Sequence, residues 1–351
     1  MNVIDSMVIE GFETQIISTH HRPSDWFVNS NSKILRIDKA YGTVINRYLC
    51  YLQFAIIGFW KLLKLKPKAI LIYESYSALP VFLYSIICPK VKLLFHYHEF
   101  ESKEEKQCAS AYSKFLYFLE KRLLSKAIWV SQTNLERKFK FQSLFPQMNE
   151  KQLRVFPNYP SENWVVKGKN RKNEDPDIVK FIHVGSLGIE TTYISEFVEW
   201  IQSQNGRASL TVVSQNIENS VCELITKNQW VAQIGNLPYQ ELPKVINEYY
   251  VGVVLYKGHI PNFVYNVPNK VTEYLACGLN VWYSDVLIST HKFAEENPQY
   301  PLYSVDFSKG KELVYPEYSS NPFEFKHWHE DAVQPLIDSI KQAMDDSLNT
   351  F

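Results

Sequence analysis

No Cys-x-x-Cys pair occurs among the five cysteines, at positions 50, 88, 108, 222 and 277, and their number is odd. That speaks against a disulfide framework and the common zinc spacings, and fits a reducing, cytoplasmic setting. Glycine is sparse, at 12 of 351 residues, while aromatics are plentiful, which excludes fibrous and disordered classes. The opening MNVIDSMVIEGF has neither the basic lead nor the apolar core of a secretory signal. The longest apolar run, Tyr48 to Trp60, stops short of the ~20 residues a membrane span needs, so the chain reads as non-integral. No Gly-x-Gly-x-x-Gly follows any strand-like run, which argues against a Rossmann dehydrogenase. Solenoid repeats and low-complexity tracts are also absent.

The formal charge is zero overall but unevenly spread. Residues 1–157 hold 22 Lys+Arg against 13 Asp+Glu, and residues 158–351 hold 15 against 24. The first half is therefore suited to an anionic neighbour, a membrane leaflet or a phosphorylated acceptor. Nucleic acid is not expected, because no recognition motif accompanies the basic residues.

Strand-like and helix-like runs alternate throughout. In the first half TQIIST, AILIYES, VKLLFHYH and AIWVS are short β-rich runs, set among the helical patterns NVIDSMVIE, INRYLCYLQFAIIGFWKLLK and SAYSKFLYFLEKRLLSK. The second half repeats the scheme with VKFIHVGS, ASLTVVS, WVAQIG, VGVVLY, NVWYS and PLYSV. Its helical patterns include YISEFVEWIQSQ, IENSVCELITK, YQELPKVINEYY and PNKVTEYLAC. The expected fold is α/β, two Rossmann-like doubly wound domains facing a cleft, with ligands at the carboxyl ends of the strands. The expected boundaries are 1–157, 158–330 and a C-terminal helix over 331–351, and the polar stretch SENWVVKGKNRKNEDPDIVK reads as a linker.

One stretch, NVPNKVTEYLACGLNVWYSD at 266–285, carries chemistry between firm start and stop signals. Pro268 suits the first helical position and Gly278 a left-handed stop. A helix N-terminus beside strand ends is an anion site, and Lys270 in its first turn is unfavourable there unless an anion binds. Glu273 shares a face with Lys270 and could accept hydrogen bonds from two ribose hydroxyls. A Lys–Glu pair three apart is also the commonest kind of solvated surface pair.

The stretch is similar to the nucleotide-binding signature of GT-B glycosyltransferases of the retaining, family-4 type. That signature is Pro-x-Lys-h-x-Glu-Tyr-h-Ala-x-Gly-x-x-Val, with h apolar. FIHVGSLG resembles the first strand and phosphate loop of the donor domain. IGNLPYQELPKVINEYYVGVVLY, LRVFPNYP and LEKRLLSKAIWVSQTNLERKF resemble further segments in the same order, so that the likeness covers roughly residues 60–285. The resemblance implies that Glu273 holds the ribose and Lys270 neutralises the diphosphate. Gly185, Ser186 and Leu187 would offer backbone N–H groups, with Tyr265 and Asn266 on the donor side of the same site. No cofactor and no metal is implied, the nucleotide-sugar being the co-substrate.

Three departures stand out. Eight residues before Glu273, where such chains often carry a second glutamate, stands Tyr265. The loop GSLGIETTY holds no basic residue, which leaves Lys270 and Lys257 to supply positive charge. The chain also starts inside what resembles the first helix, so the N-terminal domain is expected to lack its first strand, with a truncated reading frame as the leading explanation.

On the acceptor side, LLFHYHEFES places His96, His98 and Glu99 at a strand end. A histidine beside a carboxylate can donate, accept and orient, so His98 and Glu99 are the candidate catalytic pair, with Glu74 a further candidate. HWHE at 327–330 lacks a third metal ligand. GFWKLLKLKPK at 58–68 is either a surface helix with its lysine stems laid along it or a contact with an anionic leaflet. The sequence thus points to a cytoplasmic glycosyltransferase, at the inner face of the membrane if that contact holds. It would move a sugar from a nucleotide-sugar to a glycan or lipid-linked acceptor in bacterial surface polysaccharide synthesis. The rivals are a non-catalytic relative that binds nucleotide, glycan or a partner, and a sugar-nucleotide epimerase.

Overall fold

The computed structural model describes residues 2–18, 33–36, 44–73, 75–165, 178–214, 217–235, 237–314 and 321–345. Glu74 and residues 166–177 of the expected linker lie outside the described residues. The chain divides into two compact units. The first joins Met1–Pro157 to His329–Phe351, and the second is Asn158–Trp328.

The first unit begins with α1 (Asn2–Ile9), β1 (Gln15–Ser18), β2 (Lys33–Arg36), α2 (Val44–Leu65), β3 (Ala69–Tyr73) and α3 (Ala78–Ile87). It continues with β4 (Lys92–Tyr97), α4 (Lys103–Cys108), α5 (Ala111–Leu124), β5 (Ala127–Gln132), α6 (Leu135–Leu144) and β6 (Leu153–Val155). The second unit holds β7 (Val179–Val184), α7 (Ile194–Ser203), β8 (Ala208–Val213), α8 (Asn219–Thr226), β9 (Val231–Ile234) and α9 (Leu242–Ile246). After these come β10 (Val251–Val254), α10 (Pro261–Val264), α11 (Asn269–Ala276), β11 (Asn280–Ser284), α12 (Ile288–Glu296) and β12 (Leu302–Val305). The last helix, α13 (His329–Asp345), begins two residues before the expected 331 and belongs to the first unit.

In the first unit β3-β4-β5-β6 form a parallel sheet, and β1 pairs with β2 in a separate parallel pair. The described strands of this unit fall into two sheets. The run KLLFHY of β4 is nearly continuous in apolar residues because helices cover both its faces. Leu93, Phe95 and Tyr97 pack under residues of α2, α3, α5 and α6. Leu94, with Trp129, faces α1 and α13 through Met7, Val333 and Leu336. The apolar stretch counted to Trp60 in the sequence continues helically: Tyr48–Leu65 is long and apolar enough to cross a membrane by length and composition. Only two lysines interrupt that extension.

The second unit is a six-stranded parallel sheet in the order β12-β11-β10-β7-β8-β9. This is the doubly wound arrangement, and the strand order reverses between β7 and β10. The loops leaving the carboxyl ends of these two strands, 185–193 and 255–260, therefore open at the topological switch point. They are joined to each other by Tyr193 N–H to Leu255 O at 2.7 Å and Lys257 N–H to Thr191 O at 3.0 Å.

Candidate functional site

Helix α11 is fixed in place by three local devices. Pro268 is the N-cap rather than the expected first helical residue, since its ψ of 142° is extended and its carbonyl accepts Val271 N–H at 2.8 Å. At the other end Gly278 adopts φ +75°, with Gly278 N–H bonded to Leu275 O at 2.8 Å and Leu279 N–H to Tyr274 O at 3.0 Å. That paired closure is a Schellman motif, and its left-handed residue is one that glycine tolerates without strain. Between the ends, the Tyr274 ring lies fully buried against Gly252 of β10, where any Cβ would collide with it. Its hydroxyl accepts Val184 N–H at 2.9 Å. One tyrosine thus ties α11 to both central strands at the switch point.

The helix brings Lys270 and Glu273 inward, against the solvated-pair alternative. They are only 8% and 7% exposed. A Cβ placed on Gly185 would lie 3.2 Å from Lys270 Nζ, so the ammonium rests against the loop that follows β7. Nζ sits 4.8 Å from the centroid of Tyr256, which follows β10. Among the described residues no carboxylate lies within 4.0 Å of Lys270 Nζ. Among the described residues it has a ring face and no carboxylate contact, and it stands at the N-terminal turn of a helix whose dipole is positive there. An arrangement of this kind suits an anion.

Glu273 Oε1 accepts a hydrogen bond from Tyr239 Oη at 2.9 Å. The Tyr239 ring packs against Trp164 with 4.9 Å between centroids. Burial raises the Glu273 pKa to about 7, opposed by the Tyr239 hydrogen bond and by Lys270. Ionisation in the folded protein is therefore unfavourable compared with the ordinary value of 4.5. The resulting contribution to stability is full below pH 4.5 and is lost as pH rises through about 7. It amounts to about 3 kcal/mol, as an upper figure from the size of the shift. Glu273→Gln is expected to flatten this loss, so that the variant unfolds at higher denaturant than the parent at pH 8 and at a similar concentration at pH 4. Urea unfolding at the two pH values measures it.

The remaining donor-side residues are placed less simply. Gly185 takes φ +119°, but its N–H is spent on Val213 O at 3.0 Å, in the ladder leaving β7, so it offers shape and not a donor. Leu187 is buried at 2% and bridged to Ile217, with its carbonyl taking Glu218 N–H. Ser186 lies between them at the mouth of the loop. Lys257 is tied down: Nζ is 3.2 Å from Glu196 Oε1 and donates to Ile189 O at 2.9 Å. It holds the loop, and its charge is largely answered. Tyr265 caps α10 with its N–H on Pro261 O, and the Asn266 carbonyl accepts Thr290 Oγ1 at 2.9 Å.

Four further residues were not singled out from the sequence. Tyr239 orients Glu273 and Tyr256 faces Lys270. His183, fully buried on β7, has Nδ1 3.1 Å from Val253 O and a pKa held well below the ordinary range by burial and then by Lys270. A neutral histidine therefore stands next to the buried cation without adding charge. Glu218 Oε2 accepts Ile189 N–H at 3.1 Å, so a carboxylate already occupies one donor of the loop. Nothing in the spacing of these residues signals their convergence.

In the first unit His98 and Glu99 follow the last residue of β4, as expected for a strand-end site. His96 and His98 share a side, their rings 4.5 Å apart and edge-on, and His98 is stacked on Tyr73 at 5.3 Å. His96 is buried, with Nδ1 2.9 Å from Ser131 Oγ. Arg137, 1% exposed, donates from Nη1 to His98 O at 2.7 Å and fixes the backbone there. Desolvation, followed by neighbouring positive charge including Arg137, holds the His98 pKa below the ordinary range, so it is neutral at pH 7. A neutral imidazole can donate at one nitrogen and accept at the other. His327 pairs with Asn297 Oδ1 at 2.9 Å and His329 lies 3.4 Å from Ser6 Oγ, so the HWHE histidines have separate partners.

No protein-family profile matches the chain, and no curated protein matches it in sequence. Solved structures do match over nearly its whole length, and they are GT-B glycosyltransferases. A sucrose-phosphate synthase from Thermosynechococcus elongatus superposes with TM-score 0.62 at 14% identity, covering 99% of this chain and 90% of that one. A trehalose-6-phosphate synthase, studied for glycosyl transfer with retention, gives TM-score 0.58 at 10% identity over 97% and 92%. Anabaena HepE, solved in complex with UDP and glucose, gives TM-score 0.58 at 10% identity over 97% and 100%. At these identities the likeness establishes the fold: two Rossmann-like units of the GT-B type.

Proposed function

We propose that the protein is a glycosyltransferase that takes a sugar from a nucleoside-diphosphate donor and passes it to a glycan or lipid-linked glycan. The observation that carries this is Lys270, a buried residue whose ammonium has no carboxylate partner among the described residues. It stands at an α-helix N-terminus, against the loop of the switch point, with a buried carboxylate one turn on. A diphosphate would supply the missing anion, held by Lys270, the first N–H groups of α11 and the mouth of the loop at Ser186. Glu273, ionised when a ligand displaces its apolar surroundings, would accept from two ribose hydroxyls, with Tyr239 holding its second lone pair set. The neighbour crystallised with UDP and glucose is consistent with this donor class.

Retention is part of the proposal and rests on the family resemblance and on the neighbour studied for it. The bond from the sugar C1 to the β-phosphate oxygen breaks as the acceptor oxygen bonds to C1 on the same face. The acceptor proton passes to the departing phosphate oxygen, so no strong protein base is needed. His98 and Glu99 would orient the acceptor-side hydroxyls. Charge neutralisation by Lys270 stands where a divalent metal would otherwise act. Five free cysteines fit a cytoplasmic site of action, and surface polysaccharide synthesis follows from the resemblance.

Tyr265, in place of a second carboxylate, and Glu218, bonded to the loop, favour a second reading: a relative that binds nucleotide without turning it over. Incubation with nucleotide-sugars and native membranes or lysate glycans, followed by release of free nucleoside diphosphate, separates the two. Turnover of one donor supports transfer; saturable binding without release supports the second reading.

A further inference from the structure

The helices α2, α3 and α5 form one layer over the first unit's sheet, and their outward surface is apolar. On α2 the buried side is Phe54, Ala55, Gly58 and Leu62, with a Cβ on Gly58 lying 3.4 Å from Pro80 of α3. The opposite side exposes Leu49, Leu52, Ile56 and Trp60, the last at 65%. These recur at helical spacing and form one stripe. Beside it α3 exposes Ile86 and Ile87, at 61% and 56%. On α5 Phe118 is 51% exposed, under the Arg122 guanidinium at 4.2 Å. Exposed apolar residues on all three helices, α2 packed on α3 and α3 on α5, exceed the scattered exposed residues ordinary for a folded chain.

Charge decides what covers it. Residues 44–92 hold seven Lys+Arg and one Asp+Glu, and residues 111–126 hold four basic residues against Glu120, which is buried and bonded to Tyr97 Oη at 2.6 Å. Lys64 continues the Trp60 stripe one turn on, and Lys121 and Arg122 border Phe118. A second copy docked face to face would set these cations against one another. Nucleic acid would match the charge but not the aliphatic stripe.

The geometry points to an anionic lipid bilayer: the outer face of α2–α3–α5 lies in the headgroup region, with α2 parallel to the surface and Trp60 at the interface. Although α2 is long and apolar enough to span, its opposite side is packed against α3, so it lies on the membrane as part of the folded unit. This surface stands independently of the transfer reading, because vesicle binding needs no nucleotide-sugar.

Co-sedimentation of the full chain with phosphatidylcholine vesicles containing phosphatidylglycerol tests it. Binding is expected, weaker at high salt and weaker on phosphatidylcholine alone. The double variant Ile56→Glu/Trp60→Glu is expected to lose about tenfold or more in partitioning, and Lys61→Glu/Lys64→Glu to lose the dependence on phosphatidylglycerol. Ile56, Trp60 and Lys64 are exposed and Lys61 is half-buried, and unchanged thermal unfolding confirms that the fold is kept. Failure of the parent chain to sediment, or equal sedimentation of the first variant, overturns the proposal. So does a parent dimer in light scattering that the first variant splits without any vesicle binding, which would assign the face to a second copy.

Discussion

Lys270→Met is expected to weaken binding of the cognate nucleoside diphosphate roughly a hundredfold, about 3 kcal/mol, while leaving the free nucleoside nearly unaffected. The substitution keeps the length and apolar stem and removes only the ammonium. In the free protein Lys270 is 8% exposed as a residue, and its ammonium faces the Tyr256 ring with no carboxylate within 4.0 Å among the described residues. Burying a charge without a counter-ion costs stability, so the methionine variant is also expected to melt no lower than the parent, and higher if the site is dry. The two effects have opposite signs, which separates a binding role from a structural one. Calorimetric titration with the diphosphate and the nucleoside, together with thermal unfolding, reads both. Equal losses for both ligands, or a fall in melting temperature, would place Lys270 among structural residues.

Gly252→Ala is expected to lower the second unit's stability by about 3 kcal/mol, or on the order of 10 °C in melting temperature for a unit of this size. Its Cβ would enter the space of the Tyr274 ring, which cannot swing away because its hydroxyl holds Val184 N–H and its surface is fully buried. Relief requires α11 to move off β10, and α11 carries Lys270 and Glu273. Nucleotide affinity should therefore fall with stability at this position, unlike Lys270→Met. A variant as stable as the parent would mean that the helix is not set by this contact.

Much of this was legible before any coordinates. The β-rich runs at 69–75, 91–98, 179–186 and 280–284 became β3, β4, β7 and β11 within a residue or two, because strands buried on both faces announce themselves as apolar runs between turns. The Gly278 stop was readable from a residue type that only a left-handed turn favours. Other elements were not readable. Helix α3, ALPVFLYSII, is apolar almost throughout with a proline in its first turn, so period alone does not separate it from a strand. Strand β6 is three residues long and takes its identity from pairing with β5. At the site, Lys270 and Glu273 were marked by spacing together with the resemblance to a known signature, whereas Tyr239, Tyr256 and His183 reach them, and Glu218 reaches the loop after β7, only through the sheet order. Gly185 was expected to donate and Lys257 to meet phosphate. Ladder pairing with Val213 took the first, and the ion pair with Glu196 took most of the second. Such local competition for hydrogen bonds is invisible in a linear sequence.

Recognition of a nucleotide turns on Glu273. Calorimetric titration of the parent chain with UDP, GDP, CMP and dTDP, repeated on Glu273→Ala, asks the question directly. One nucleotide is expected to bind in the micromolar range, with affinity falling about a hundredfold in the variant as two charge-assisted hydrogen bonds to the ribose are lost. No heat from any of the four, or equal binding by parent and variant, would contradict it.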